Sequence, residues 1–205
     1  MLKIVLASQS PRRKKLLSQL GFIFEIIPSF KEEIITSNNP IDIVSELSLQ
    51  KAKNVANSVS KALIIGADTI VVLKGKILGK PKNQKEAITM LSELSGNEHS
   101  VFTGVSFVLT NSDKKISSTH SFYEETKVRF SSLSQEEIKF YVASGSPMDK
   151  AGAYGIQDDW GSLYVERIEG DYYNVVGFPL NRFYQELKNI DPTLLKSVKI
   201  PNVSS

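Results

Sequence analysis

The sequence contains no cysteine and only two histidines, His99 and His120, among its 205 residues. The absence of cysteine excludes disulfides, thiolate nucleophiles and cysteine-ligated zinc sites. Because the two histidines lie far apart in the sequence, the chain does not favour a histidine-rich metal centre. Any metal ion would therefore be a hard ion that carboxylate and phosphate oxygens hold.

Long apolar runs and a large excess of charge are also missing. No stretch of about 18 uninterrupted apolar residues occurs, and the chain begins directly with an apolar strand pattern, so we expect no membrane segment and a cytoplasmic location. The net charge is +3, whereas nucleic-acid-binding proteins usually carry a larger basic excess interleaved with aromatic residues. We therefore expect no nucleic-acid partner.

The pattern of elements is that of an α/β protein. With 41% hydrophobic residues, the chain can build one globular unit or two small lobes that share a cleft. Apolar runs predict strands, and capping residues before 3.6-residue apolar periodicity predict helices. The predicted strands cover 3–7, 22–28, 63–67, 70–73, 101–109 and 126–130. The predicted helices begin near 11, 40, 84, 135 and 180. Residues 163–168 and 172–176 are predicted to pair as a hairpin. Residues 1–190 form the expected folded domain, and the polar segment 191–205 is predicted to be flexible.

The first predicted helix begins with an unusual run of positive charge. Ser10 can cap it and Pro11 suits its first position, so residues 12–15 (RRKK) fall in the first turn. Each cation there opposes the helix dipole at a cost of about 0.3–1 kcal/mol. A bound polyanion would reverse that effect, because the N–H groups, the dipole and the side chains would all attract it. This predicts a phosphate site, although Lys14 and Lys15 fit a solvated face better.

Further clusters could carry chemistry. Asp68 comes where the apolar run 63–73 breaks, and carboxylates at strand ends commonly hold metal or activate water, although Asp is also an ordinary turn residue. Lys80, between a strand and a helix, could contact phosphate but taken alone is more often solvated. Glu33, like its neighbour Glu32, could supply a metal oxygen, whereas exposed glutamates are the common case. Lys51 follows Leu47 by four residues and should lie near the packed helix face.

Six segments together resemble one known family. The segments SQSPRRKKLL, GADT, LGKP, EHSVFTGV, DKAGAYGIQ and GDYYNVVGFPL, in this order along nearly the whole chain, are similar to the Maf family of nucleoside triphosphate pyrophosphatases. The form DKAGAYGIQ resembles the branch that acts on dTTP and UTP, rather than the relatives that act on 7-methyl-GTP. The fold that this resemblance implies is an elongated mixed sheet flanked by helices with a deep central cleft, similar to inosine triphosphate pyrophosphatases.

The resemblance also implies roles for individual residues. Asp68 matches the proton acceptor of the family, and Glu33 matches an acidic position in the same cleft that could hold a divalent metal (Mg²⁺, Mn²⁺ or Co²⁺) together with Asp68. The family positions that set the base preference correspond to Arg12, Thr69 and Gln157. The family positions that line the triphosphate site correspond to Ser8, Ser10, Arg13, Lys51 and Lys80. The family further suggests a homodimer. Where relatives usually continue GIQ with Gly, this chain has Asp158-Asp159-Trp160, which bears on the base preference and not on the reaction class.

The implied reaction is the hydrolysis of dTTP and UTP to the nucleoside monophosphate and pyrophosphate, which would cleanse the nucleotide pool. Asp68 could take the proton of the attacking water or hold a metal that acidifies it, and the amide of Gln157 offers a donor and an acceptor for the O4 and N3–H edge of uracil or thymine. The alternatives are a binding protein linked to arrest of cell division and a relative that prefers 7-methyl-GTP. The chain contains no G-x-x-x-x-G-K-[ST] or G-x-G-x-x-G motif and no nucleophile elbow.

Overall fold

The computed structural model describes residues 2–157 and 159–197 of the chain. Within these residues, strands and helices alternate along most of the sequence. The strands are β1 (Lys3–Leu6), β2 (Glu25–Ile26), β3 (Ala62–Leu73), β4 (Lys76–Leu78), β5 (Glu98–Thr110), β6 (Ile116–Phe130) and β7 (Val165–Glu169), and the helices are α1 (Pro11–Gln19), α2 (Pro40–Ala56), α3 (Gln84–Leu94), α4 (Gln135–Ala143), α5 (Asp159–Leu163), α6 (Tyr172–Val176) and α7 (Leu180–Ile190). Short 3-10 helices cover Ser146–Asp149, Ala151–Ala153 and Pro192–Ser197.

The described strands join in one mixed sheet. Its order is β2-β1-β3-β5-β6-β7, and β4 pairs with β3 beside this path. The central pairing is parallel, with Ile4 of β1 opposite Leu63 of β3, whereas β4 and β7 run antiparallel to their neighbours. The predicted α/β class, a mixed sheet with helices, is therefore confirmed.

Helices α1 to α4 begin where the sequence offers a capping group. In α1 the Ser10 hydroxyl accepts from the Arg13 N–H, and Pro11 takes the first position. At α4 a complete capping box is present, because Ser134 and Glu137 bond each other's main chain. Side-chain oxygens also cap the starts of α2 and α3, from Asn39 and Asn83. These local bonds satisfy N–H groups that have no partner inside the helix, which explains why the predicted starts are correct.

The chain divides into two compact units. The first comprises Met1–Asp68, Gly104–Tyr123 and Gly177–Ser205, and the second comprises Thr69–Thr103 and Glu124–Val176. In the first unit, α2 packs its apolar stripe on β1, β3 and β5, and the buried cluster consists of Val5, Ala7, Ala52, Val55, Ala56, Val59, Ala62, Ile64 and Val108. In the second unit, α3 packs against α4, with Leu91, Leu94, Ile138 and Tyr141 buried. Because β3, β5 and β6 each contribute residues to both units, the division falls within strands rather than in linkers.

Two predicted elements differ from the structure. The run 63–73 does not break at Asp68, because β3 continues through Asp68 and Thr69 to Leu73. Each polar side chain has a partner there: Asp68 pairs with Lys51, and the Thr69 hydroxyl bonds the Thr103 hydroxyl at 2.9 Å. Paired polar groups can remain inside a strand, and the inference that Asp68 ends a strand is therefore wrong.

The predicted hairpin of 163–168 with 172–176 is also wrong in its second half. The first half forms β7, but Tyr172–Val176 is the short helix α6. The reason is local, because the Asp171 carboxylate accepts the Tyr173 N–H at 2.7 Å and so starts a helical turn. The predicted strand 22–28 is shorter than expected, since only Glu25–Ile26 pairs with β1.

After α7, the chain continues as the 3-10 helix Pro192–Ser197, in which the Leu194 side chain is buried. This helix packs against α7. The rest of the tail that the sequence predicts to be flexible, residues 198–205, lies outside the described residues, as does Asp158. None of the helices in the described part of the chain is long and apolar enough to span a membrane.

Candidate active site

A lysine that contacts two carboxylates is the centre of the site. The ammonium of Lys51 on α2 lies 2.9 Å from Oε1 of Glu33 and forms a short hydrogen bond with Oδ1 of Asp68. The side chains of Lys51 and Asp68 are only 17% and 13% exposed, whereas Glu33 is 47% exposed. The helical spacing from Leu47 thus predicted correctly that Lys51 lies near the packed face. Low exposure strengthens the attraction within the Lys51–Asp68 pair relative to an ion pair in water.

The close approach of α2 to β3 depends on Gly66. A Cβ at this position would lie 2.1 Å from the carbonyl oxygen of Ser48 and 2.9 Å from the amide nitrogen of Ala52. No side chain other than hydrogen fits between the helix and the strand. Since Lys51 lies between Ser48 and Ala52, this contact brings it within reach of Asp68, two residues after Gly66 on β3.

The start of α1 is joined to the same strand by Arg13. Its Nε donates to the Gly177 carbonyl at 2.9 Å, and its Nη1 donates to the Ala67 carbonyl at 2.9 Å and to the Ser8 hydroxyl at 3.4 Å. Burial lowers the pKa of Arg13, and the nearby Asp68 carboxylate opposes this effect. A guanidinium remains protonated under such shifts, so Arg13 is a fixed positive charge next to the residue that precedes Asp68.

The hydroxyls before α1 are ordered by the main chain. Ser8 is buried, and its hydroxyl accepts the Ser10 N–H at 3.2 Å, while the Ser10 hydroxyl accepts the Arg13 N–H at 3.4 Å. Lys14 and Lys15 are exposed, as expected for a solvated face. The first unit therefore brings together most of the residues predicted for the site, namely Ser8, Ser10, Arg13, Glu33, Lys51 and Asp68, and Arg12 lies beside them in the same turn.

The other predicted residues belong to the second unit. Thr69 is partly buried, and the Thr103 hydroxyl that it bonds also donates to the Asn174 carbonyl at 3.1 Å. In the sequence, Thr103 and Asn174 stand out only as members of family motifs, and the contact of Thr103 with the predicted specificity residue Thr69 is not evident there. Their polar character inside apolar runs is the one sequence signal that could have identified them.

Lys80 and Gln157 lie in loops of the second unit. Lys80 is exposed after β4, and the preceding Gly79 accepts the Gly152 N–H at 3.0 Å, which joins the loop of Lys80 to the loop of Gln157. Gly152 has φ +67°, and a Cβ there would lie 2.9 Å from the Val71 side chain, so this position requires glycine. Gln157 is partly buried.

Asp159 and Trp160, which stand where relatives usually continue with Gly after Gln157, form part of α5. The Trp160 ring contacts Phe140 of α4, with ring centroids 4.9 Å apart. Gly161 packs closely on the preceding loop, because a Cβ there would lie 2.5 Å from the Gly155 carbonyl. The helix is thus fixed on the loop that leads to Gln157, and Asp158 itself lies outside the described residues.

The donors for a cation are the two carboxylates of the first unit. Among residues 2–157 and 159–197, no group of three or more histidine, cysteine or acidic side chains could hold a metal. Asp68 and Glu33 nevertheless converge on one positive group, the Lys51 ammonium. Two carboxylates suit a hard divalent ion that takes its remaining ligands from water and substrate phosphates.

Comparison with solved structures defines the class of fold. The chain resembles the Ham1 protein of Staphylococcus aureus with a TM-score of 0.53 and 16% identity, over 92% of this chain and 100% of that one. A HAM1 protein from Coxiella burnetii gives a TM-score of 0.52 with the same identity and coverage. At this identity the likeness concerns the fold alone, and it agrees with the mixed sheet flanked by helices that the family resemblance implied.

Sequence comparison identifies the family. Residues 3–190 match the Maf-like protein family, and the chain therefore belongs to it. A Bacillus cereus (strain AH820) protein named dTTP/UTP pyrophosphatase is 53% identical over 196 residues, which cover 94% of this chain and 99% of that protein. A protein of the same name from Agathobacter rectalis is 48% identical over 203 residues, with coverages of 93% and 98%. The resemblance that the six sequence motifs indicated is thus confirmed.

Proposed function

We propose that the chain is a nucleoside triphosphate pyrophosphatase that hydrolyses dTTP and UTP to the nucleoside monophosphate and pyrophosphate. The convergence of Asp68 and Glu33 on the Lys51 ammonium is the observation that carries the proposal, because the ammonium holds the candidate base, the Asp68 carboxylate, in a fixed position. The names of full-length relatives with about half their residues identical support the choice of substrates.

In this reaction Asp68 acts as the base. A water oxygen attacks the α phosphorus, the bond from that phosphorus to the α–β bridging oxygen breaks, and pyrophosphate leaves with the electron pair. The Asp68 carboxylate accepts a proton from the water, while the hydrogen bond from Lys51 fixes the direction of this carboxylate. Glu33 contacts the same ammonium as Asp68.

The positive groups of the site would neutralise the triphosphate. In the first unit, Arg13 and Lys51 supply charge, and Ser8 and Ser10 supply hydroxyls at the start of α1, where the helix dipole also favours an anion. For Lys80 of the second unit, we keep the phosphate-binding role that the family resemblance implies. For the base, the proposal retains the roles that the family resemblance implies, which are selection by Arg12, Thr69 and Gln157. The Gln157 amide can match the O4 and N3–H edge of uracil or thymine only if a neighbour fixes its orientation.

A divalent metal fits the donor set of the first unit. Asp68 and Glu33 would hold Mg²⁺, Mn²⁺ or Co²⁺ together with phosphate oxygens, and the ion would supply a Lewis acid for the phosphoryl oxygens. The support is the convergence of the two carboxylates on one cation, Lys51. On the family resemblance we also propose a homodimer in the cytoplasm.

A pyrophosphate-release screen tests the function. The purified chain is assayed with dTTP, UTP, CTP, ITP and 7-methyl-GTP, each with Mg²⁺, Mn²⁺, Co²⁺ or no divalent ion. We expect saturable release from dTTP and UTP that depends on the metal. A preference for 7-methyl-GTP would overturn the choice of base but not the reaction, and no release from any nucleotide would favour the binding protein linked to cell-division arrest.

The Asp68→Asn variant tests the assignment of the base. We expect turnover to fall by about 10²–10⁴-fold, the usual contribution of a positioned acid or base, while nucleotide binding is largely retained. Glu32→Gln is the matched control, because Glu32 is an exposed neighbour of Glu33. Hydrolysis of dTTP by Asp68→Asn at nearly the wild-type rate would refute the assignment.

A further inference from the structure

Gln50 makes two hydrogen bonds with the main chain of one residue in the loop that carries Glu33. The Ile34 N–H donates to Oε1 of Gln50 at 3.0 Å, and Nε2 of Gln50 donates to the Ile34 carbonyl at 2.6 Å. Both polar groups of the Ile34 main chain thus bind one side-chain amide, as they would bind a neighbouring strand. Residues 27–39 contain no helix or strand, so this pairing replaces regular structure there.

Consecutive residues of α2 therefore hold consecutive residues of the loop. Gln50 binds the main chain of Ile34, and Lys51 binds the side chain of Glu33. The bond from Lys51 orients the carboxylate, whereas the amide of Gln50 determines where the main chain next to it lies. Because Glu33 and Ile34 are adjacent, a change in the contact between Gln50 and Ile34 alters the geometry of the contact between Lys51 and Glu33.

The loop has little other anchorage near Glu33. From Phe30 onward its large apolar side chains face solvent, with Phe30 81%, Ile34 65% and Ile35 58% exposed, so hydrophobic burial does not fix this stretch. Glu33 is itself 47% exposed, and an ion pair with such an exposed partner contributes little. Other polar contacts with α2 lie further from Glu33 along the loop, where Asn54 donates to the Ser29 hydroxyl at 3.0 Å and Glu46 accepts the Thr36 hydroxyl at 2.8 Å. Close to Glu33, the pair of bonds from Gln50 is the main constraint in the described contacts.

We propose that Gln50 is a positioning residue, which sets the place of the Glu33 carboxylate relative to Lys51 and Asp68 during catalysis. The inference rests on the proposed function. Gln50 itself does not touch the reacting atoms, and its effect passes through Glu33. Replacement of Gln50 should therefore lower kcat and change the KM for dTTP little. The loss of kcat should occur only while Glu33 is present.

A double-mutant cycle tests this dependence. We expect Gln50→Ala to reduce kcat by on the order of 10-fold, since two hydrogen bonds are lost. In the Glu33→Ala background the same substitution should change the remaining rate by less than about 2-fold, because residues that act through one group are not additive. Glu46→Ala is the matched control. It releases the same loop at Thr36 but leaves Ile34 bound, and it should keep kcat within about 3-fold of wild type.

Hydrogen exchange provides a readout that does not depend on activity. The Ile34 amide should exchange faster in Gln50→Ala than in wild type, and in Glu46→Ala it should remain protected. An additive cycle in an active enzyme, or an equal loss of kcat in Glu46→Ala, would overturn the role of Gln50 and leave the proposed function intact. Absence of hydrolysis by the wild-type chain would overturn both.

Discussion

Substitution of Gly66 by alanine should disturb both the fold and the site, because α2 lies directly on this residue. The added Cβ would lie 2.1 Å from the Ser48 carbonyl oxygen, whereas ordinary contacts begin near 3.4 Å. The nearest atoms belong to the helix main chain and cannot rotate away. The helix must therefore move from β3 by about 1 Å, or the strand must bend by a similar amount.

The size of the effect follows from this displacement. Overfilling a packed interior costs about 1–3 kcal/mol of unfolding free energy. For a chain of about 200 residues, each kcal/mol shifts the thermal midpoint by about 2–4 °C, so we expect Tm to fall by about 2–12 °C. Lys51 moves with the helix, and since a misplacement of about 1 Å can cost about 10²-fold in rate, kcat for dTTP should fall by more than the loss of stability explains.

Thermal unfolding followed by circular dichroism, together with pyrophosphate release at 25 °C, where the variant is still folded, separates the two effects. Gly79→Ala is the control for stability, because a Cβ at Gly79 meets no atom within 4 Å. We expect its Tm to stay within about 2 °C of wild type. A Gly66→Ala variant that melted at the wild-type midpoint and hydrolysed dTTP at the wild-type rate would contradict the predicted displacement of α2 from β3.

Two other buried groups give predictions about stability. Burial lowers the pKa of His99 from 6.5 to about 4. Between these pH values the unfolded chain binds a proton and the folded chain does not, so the free energy of unfolding should decrease as the pH falls from 6.5 towards 4, by about 2 kcal/mol at pH 5. In urea unfolding, His99→Gln should lack this part of the dependence of stability on pH. The Thr110 hydroxyl donates to the Val59 carbonyl at 2.9 Å and accepts the Ala62 N–H at 3.2 Å. Thr110→Val should therefore lower the free energy of unfolding by about 1–3 kcal/mol for each main-chain group left without a partner, whereas Thr110→Ser, which keeps the hydroxyl, should lower it less. Equal midpoints in urea for the two variants would contradict this.

Sequence patterns predicted the elements whose causes are local. Capping residues marked the starts of α1 to α4. The helical period placed Lys51 near the packed face, where it is 17% exposed. The break expected at Asp68 was wrong because the contacts that keep Asp68 and Thr69 inside the strand are not local. A polar pair inside an apolar run resembles a turn until its partners are known, and those partners, Lys51 and Thr103, lie 17 and 34 residues away in the sequence.

The site shows the same limit of local reasoning. A family motif, GADT, contains Asp68, because the chemistry of the family is tied to short, fixed segments. Gln50 belongs to no such segment, and its contact with Ile34 spans 16 residues of which many have no regular structure. A long-range contact of an exposed amide leaves no periodicity in the sequence, and only the folded arrangement of α2 and the loop identifies it.

The cations at the start of α1 require a different explanation for each residue. Lys14 and Lys15 are solvated, and the charge of Arg13 is already bound to oxygens of the protein: its guanidinium donates to the carbonyls of Ala67 and Gly177 as well as to the Ser8 hydroxyl. A bound phosphate is thus not needed to explain why a cation is stable at Arg13. Because Ala67 precedes Asp68 on β3, replacement of Arg13 would displace the base as well as remove a positive charge. The first effect lowers kcat and the second raises the KM for the nucleotide, so the ratio of these two changes measures how far Arg13 serves the strand and how far it serves the substrate.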